Sequence, residues 1–241
     1  MIRAFLVILV TFAYILLLGP PVLIYAAITG NGDSVYRIGT RGARMALWLA
    51  GTRLEIHGLH KTPSHRPVVF MANHQSNCDP PALLAVVPRV LVLVKKEFFR
   101  VPILGRGMVA CGFIPVDRRN REQALGAVEK GVQALKAGRS FLVYPEGTRS
   151  PDGRLQPFKK GVFVMAIKAG APIVPISVSG SNKIMPKGKF VIRPGRVRIT
   201  FHEPVATEGL AMEDRQAIIE RVRQAVLAGL EKDEWPKSSD K

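Results

Sequence analysis

His74 and Asp79 stand five residues apart in Asn73-His74-Gln75-Ser76-Asn77-Cys78-Asp79-Pro80, which follows the short apolar run Pro67–Met71. A carboxylate this near an imidazole can hold one tautomer and leave the other ring nitrogen free as a base. Asp79-Pro80-Pro81 also reads as a helix opening, with aspartate as the cap and proline in the first turn, so Asp79 has two readings. Asn73 and Ser76 suit a turn fixed by side-chain bonds to the backbone. Cys78 offers a thiol nucleophile beside His74 or, equally, a small buried side chain.

Three more β-rich runs end in charge. Val90–Val94 is followed by Lys95-Lys96-Glu97, Phe113–Val116 by Asp117-Arg118-Arg119, and Phe141–Tyr144 by Pro145-Glu146-Gly147-Thr148-Arg149. In parallel α/β sheets, ligands bind beyond the carboxyl ends of the strands. Read singly, Lys95, Arg118 and Arg149 are surface charges. Read at successive strand ends, they are three cations beside one potential base, which is the composition of a site for a phosphorylated substrate. Arginine presents a planar donor fork to phosphate, and Gly147 permits close backbone approach.

These residues need a sheet to hold them. Strand candidates are the four runs above, Ile173–Val178 and Val197–Phe201, with Val191–Ile192 pairing with the last of these across the turn Arg193-Pro194-Gly195-Arg196. Helices are predicted over Arg121–Ala137, with Leu125, Val128, Val132 and Leu135 on one face, over Phe158–Lys168 and over Glu213–Lys232. Strands alternating with helices imply an α/β fold with a mostly parallel sheet covered by helices. We read residues 1–50 as a helical membrane anchor and 51–241 as one α/β domain.

The anchor reading rests on the absence of charge from Ala4 to Ile28. Gly19-Pro20-Pro21 interrupts that run, because interior proline removes a hydrogen bond and clashes with the preceding turn. A kinked span, a half-embedded helix and a signal peptide all stay open. Arg37, Arg41, Arg44 and Arg53 follow, on an amphipathic segment suited to lipid headgroups. The excess of basic residues after the apolar run puts the remainder on the cytoplasmic side. With 35 Lys+Arg against 18 Asp+Glu the formal charge is +17, and mean hydropathy is +0.15. That pairing fits an anionic membrane surface better than nucleic acid, for which no recognition motif is present. The composition excludes a disordered chain. Two cysteines without CxxC and five histidines without HExxH give no metal spacing and no disulfide framework.

With these residues in place, the chain resembles the glycerolipid acyltransferase family, most closely its branch that acylates lysophosphatidate. His74 and Asp79 match the NHxxxxD motif. Lys95 to Gly105 looks like a KxE block followed by Pro-x-x-Gly, and Phe113 to Arg118 like the hydrophobic-Asp-Arg block. Glu146-Gly147-Thr148-Arg149-Ser150 matches EGTRS, about 70 residues after the histidine, and Ile173-Val174-Pro175-Ile176 the late Val-Pro block. The likeness spans about residues 53 to 202 in the family's order. Pro115 and an isoleucine in the late block depart from the pattern without touching a reacting group.

The resemblance implies acyl transfer from acyl-CoA or acyl-carrier protein to the free sn-2 hydroxyl of 1-acyl-glycerol-3-phosphate. His74 would be the general base and Asp79 its orienting partner. Arg149, Lys95 and Arg118 would hold the phosphate, in a pocket shaped by Glu146, Gly147 and Thr148. It implies neither cofactor nor metal, with membrane lipids as the surroundings and the cytoplasmic side of a bacterial inner membrane as the place. Another acceptor such as a lyso-ornithine lipid, a thioesterase and a non-catalytic anionic-lipid-binding protein are the alternatives.

Overall fold

The computed structural model describes residues 2–117 and 120–237. Among these, seven strands form one sheet: β1 (Thr52–His57), β2 (Val69–Ala72), β3 (Val90–Lys95), β4 (Ile114–Val116), β5 (Ser140–Val143), β6 (Ile173–Ser179) and β7 (Gly195–Phe201). Their order is β1-β7-β6-β2-β5-β3-β4. Every neighbouring pair is parallel except β6 and β7, so the sheet is mostly parallel, as the sequence implies. The central strands are apolar without alternation, and all four residues of β2 are buried. That is the mark of a strand covered on both faces.

Eight helices complete the described chain: α1 (Ile2–Thr29), α2 (Gly32–Leu49), α3 (Asp79–Leu84), α4 (Leu104–Ala110), α5 (Arg121–Lys136), α6 (Gly161–Ala169), α7 (Ser181–Ile184) and α8 (Arg215–Ala228). On one face Phe70, Leu142 and Ile176 pack with Val7 of α1, Leu47 of α2 and Leu83 of α3. On the other, Met71, Phe141 and Ile173 pack with Leu135 of α5, Phe163 of α6 and Val222 of α8. The two layers clamp the sheet and fix where its strands end.

The structure corrects several sequence readings. Val191–Ile192 is not a strand, and no hairpin forms at Pro194-Gly195. Gly195 instead begins β7, paired in parallel with Thr52 of β1. The strand β1 is absent from the sequence reading because its TRLEIH pattern, half exposed at the sheet edge, carries a weak apolar signal. Leu125 is 59% exposed rather than buried. Gly131 sets the seat of α5, since a Cβ there would fall 2.2 Å from Met165 Sδ. The buried stripe accordingly runs through Ala127, Val132 and Leu135. α8 ends at Ala228, short of the expected Lys232, and a separate 3-10 turn follows at Lys232–Glu234.

α1 also differs. Its 28 residues run unbroken through Pro20 and Pro21, a length of about 42 Å at 1.5 Å per residue. It is long and apolar enough to cross a membrane by length and composition. Ala4 and Val7 enter the sheet's core, while Phe5, Phe12, Leu17 and Ile28 stand exposed. α1 is thus a candidate anchor that is also part of the fold. Arg37, Arg41 and Arg44 lie exposed on α2, whereas Arg53 falls on β1.

Candidate active site

β2 delivers the chain to the carboxyl edge of the sheet, where Asn73 pins the turn that follows. Its Nδ2 donates to Val178 O at 2.8 Å, and its Oδ1 accepts from Val178 N at 2.7 Å. This double bond to β6 is buried and leaves His74 to project past the strand end. Asp79 then gathers the turn onto one oxygen. Asp79 Oδ2 accepts from the Gln75 and Ser76 amides at 2.7 and 2.8 Å and lies 2.7 Å from His74 Nδ1. The carboxylate is fully buried and binds backward onto the loop, so it orders the 73–79 turn rather than capping α3 in the usual forward sense. With Nδ1 engaged by a carboxylate, Nε2 is the nitrogen left to receive a proton.

The neighbouring strand supplies a second set of supports. Tyr144 follows β5, and its ring stacks on the imidazole with centroids 4.1 Å apart. Glu146 Oε1 accepts the His74 backbone N–H at 2.6 Å, Glu146 Oε2 accepts that of Gln156 at 3.2 Å, and Ser150 N donates to His74 O at 2.7 Å. Glu146 is therefore a buried brace between His74 and the loop after β5. Burial pushes its carboxyl up to about 8 against the pull of those two amides, with the Asp79 charge adding to the rise. Gly147 turns the chain at φ +73°, where a side chain would be strained and would also meet Lys159. Burial, reinforced by the Asp79 charge, holds the Tyr144 hydroxyl well above its ordinary range. The Tyr144 hydroxyl and Asp79 Oδ1 have no hydrogen-bond partner among the described residues.

Arg149 lines a cavity of about 720 Å³ with Asn77, α1 residues including Val7, Ile8 and Phe12, and the segment from Met185 to Ile192. The cavity is amphipathic. Arg149 and Lys189 give it cationic groups, and α1 with Phe190 and Ile192 gives it an apolar wall. Lys187 Nζ donates to Arg149 O at 2.7 Å and ties that segment to the loop after β5. Lys189, Asn77 and Tyr144 escape the sequence reading. The Lys187-Gly188-Lys189 cluster was a usable signal for the first, but its place beside Arg149 follows only from the packing of the 185–192 segment.

The remaining predicted residues divide. Thr148 is exposed at the loop tip. Lys95 ends β3, two strands from β2, and pairs with Glu97 Oε1 at 3.2 Å; it does not line the Arg149 cavity. Its neighbour Lys96 pairs with Asp117 after β4. Arg118 lies outside the described residues. Cys78 is buried, and burial, with the Asp79 charge adding, pushes its thiol up to about 12, so it is held as a neutral thiol. No group of three or more His, Cys, Asp or Glu able to hold a metal occurs among the described residues.

A mostly parallel sheet whose strand end presents a carboxylate-held histidine, on a turn whose Asn77 lines a cationic and apolar cavity, suits group transfer onto an amphipathic anion. A family model described as Acyltransferase matches residues 53–179, and the chain belongs to that family. The fold is that of the 1-acyl-sn-glycerophosphate (LPA) acyltransferase PlsC from Thermotoga maritima. The TM-score is 0.83 at 28% identity, covering 95% of this chain and 93% of that one. A chloroplastic 1-acyl-sn-glycerol-3-phosphate acyltransferase of Brassica napus is 38% identical over 155 residues, covering 64% of this chain and 45% of its own length. The Homo sapiens 1-acyl-sn-glycerol-3-phosphate acyltransferase alpha is 34% identical over 182 residues, covering 75% and 64%. The chain thus spans less than half the length of the plant plastid protein and under two thirds of the human one.

Proposed function

We propose that this protein transfers a fatty acyl group from an acyl thioester to the free sn-2 hydroxyl of 1-acyl-glycerol-3-phosphate, producing phosphatidic acid. The observation that carries the reading is the Asp79-held His74 on a turn whose Asn77 lines, with Arg149, an amphipathic cavity. His74 Nε2 takes the proton from the acceptor hydroxyl as its oxygen attacks the thioester carbonyl. The tetrahedral intermediate collapses, the carbon–sulfur bond breaks, and the thiolate leaves with the proton returned by the imidazolium. Asp79 faces the imidazolium and holds its charge. Arg149, with Lys189, receives the acceptor phosphate, and the apolar wall along α1 receives its acyl chain. Lys95 would extend the positive field on the β3 side, and Thr148 would edge the mouth.

A thioester is already activated, so the reaction calls for no cofactor beyond acyl-CoA or acyl-carrier protein as co-substrate. The exposed apolar side of α1 and the arginines of α2 support attachment to a membrane, with residues 51–241 catalytic and on the cytoplasmic side of a bacterial inner membrane. The test is thiol release from both donors in detergent, with a panel of lysolipid acceptors. Release that requires lysophosphatidate supports the reading. Release without any acceptor makes the protein a thioesterase, preference for lyso-ornithine lipid moves the acceptor, and no release leaves a lipid-binding protein.

A further inference from the structure

A turn near the C-terminus, exposed except at Glu234, is tied to the loop that carries Glu146 and Arg149. Glu234 belongs to the 3-10 turn Lys232–Glu234 and is only 5% exposed. Its Oε2 accepts from Glu231 N at 3.0 Å and closes the turn; its Oε1 accepts from Gly180 N at 2.8 Å, just past the end of β6. Its main-chain carbonyl accepts from Leu155 N at 2.9 Å, and Arg154 Nη1 donates to Trp235 O at 2.9 Å. The Leu155 side chain packs with Val226, Leu227 and Leu230 at the end of α8. One residue therefore joins the end of β6 to the 150–156 loop.

Both of those places brace His74. The loop supplies Ser150 N to His74 O and Gln156 N to Glu146 Oε2, while Glu146 Oε1 holds His74 N. On the other side, Val178 sits two residues before Gly180 and grips the Asn73 side chain. A carboxylate buried to accept backbone amides is costly to leave unpaired, so the turn is held in one place. A displacement of about 1 Å at such a support can lower turnover 100-fold.

We infer that Glu234 is a positioning residue for the acyltransferase site: the C-terminal turn sets the 146–156 loop, and with it Arg149, against His74. The kinetic half of this inference rests on the function proposed above; the structural half does not.

The test compares the full chain with Glu234→Ala and Glu234→Gln in detergent micelles, by amide hydrogen exchange, melting and steady-state kinetics. In Glu234→Ala the amides of Leu155, Gln156 and Gly180 should exchange roughly tenfold faster or more, while Phe70 and Leu142 keep their wild-type protection. The KM for lysophosphatidate should rise about tenfold while that for the acyl thioester stays within about threefold, a split that loss of folded protein does not produce. Glu234→Gln should restore both in part, because its amide oxygen still accepts from Gly180 N while its NH2 group cannot accept from Glu231 N as Oε2 does. Unchanged exchange at Gln156 overturns the inference. So does acceleration of every amide together with an unchanged KM for lysophosphatidate, which marks a merely structural role. If the wild-type chain transfers no acyl group, the functional reading falls and exchange at Leu155, Gln156 and Gly180 still decides the clamp.

Discussion

Replacing Asp79 by asparagine separates charge from shape at the centre of the site. The side chain is fully buried, and one oxygen serves His74 Nδ1 and the Gln75 and Ser76 amides. An asparagine oxygen in that position keeps all three acceptor contacts but loses the negative charge. In the proposed reaction the charge matters most when His74 carries the acceptor's proton. Two unit charges about 4 Å apart interact by about 4 kcal/mol at an effective dielectric of 20. The neutral amide recovers about 1 kcal/mol of this through its hydrogen bond. The remaining 3 kcal/mol corresponds to roughly a 100-fold fall in kcat. The new amide nitrogen would replace Asp79 Oδ1, which has no partner among the described residues, so no satisfied group is lost there, and the stability change comes from the weaker, uncharged acceptance of the Gln75 and Ser76 amides, about 1 kcal/mol. The assay is single-turnover acyl transfer at saturating lysophosphatidate, run beside thermal melting. A rate within about threefold of wild type, in a protein that melts lower, would refute the catalytic argument and leave Asp79 as an organiser of the turn.

Three further outcomes are expected. Arg149→Lys should cost about 10- to 100-fold in kcat/KM for lysophosphatidate, since a lysine cannot reproduce a forked bond to phosphate; a phosphate-free lysolipid assayed in parallel should be affected little, and equal losses would move the phosphate pocket elsewhere. Glu146 bears on pH. With its folded carboxyl at about 8 and its unfolded value near 4.3, the native state binds more protons between those limits, so this group's contribution to stability falls as pH rises from about 4.5 to 8, by several kcal/mol. Glu146→Gln should abolish that slope, and parallel melting curves from pH 5 to 9 for both proteins would contradict it. Cys78→Ser and Cys78→Ala should keep most activity because the thiol, pushed up to about 12, is neutral at working pH; an acyl-thioester on Cys78 detected by mass spectrometry during turnover would reverse that conclusion.

The geometry of the His74–Asp79 motif was legible in the chain because it is local. His74 and Asp79 close one turn of seven residues, and a histidine so near an aspartate has few ways to avoid it. The central strands were legible too, since β2, β5 and β6 are buried on both faces and carry continuous apolar runs. The edge was not: β1 and the parallel register of β7 depend on a pairing across 143 residues, from Thr52 to Gly195, that leaves no local pattern. Leu125 looked like core by its period, yet the close approach of α5 to α6 at Gly131 turned it outward. The prolines of α1 looked like a break, yet the helix runs through them. Cationic residues at strand ends were visible as a set, but their grouping was decided by strand order. Arg149 met Lys189 from a distant segment, while Lys95, two strands from β2, found Glu97. The brace from Glu234 through the 150–156 loop to Glu146 and His74 is the extreme case. The bonds from Gly180 to Glu234 and from His74 to Glu146 join residues far apart in sequence, and only the packed sheet and α8 bring them within hydrogen-bonding reach.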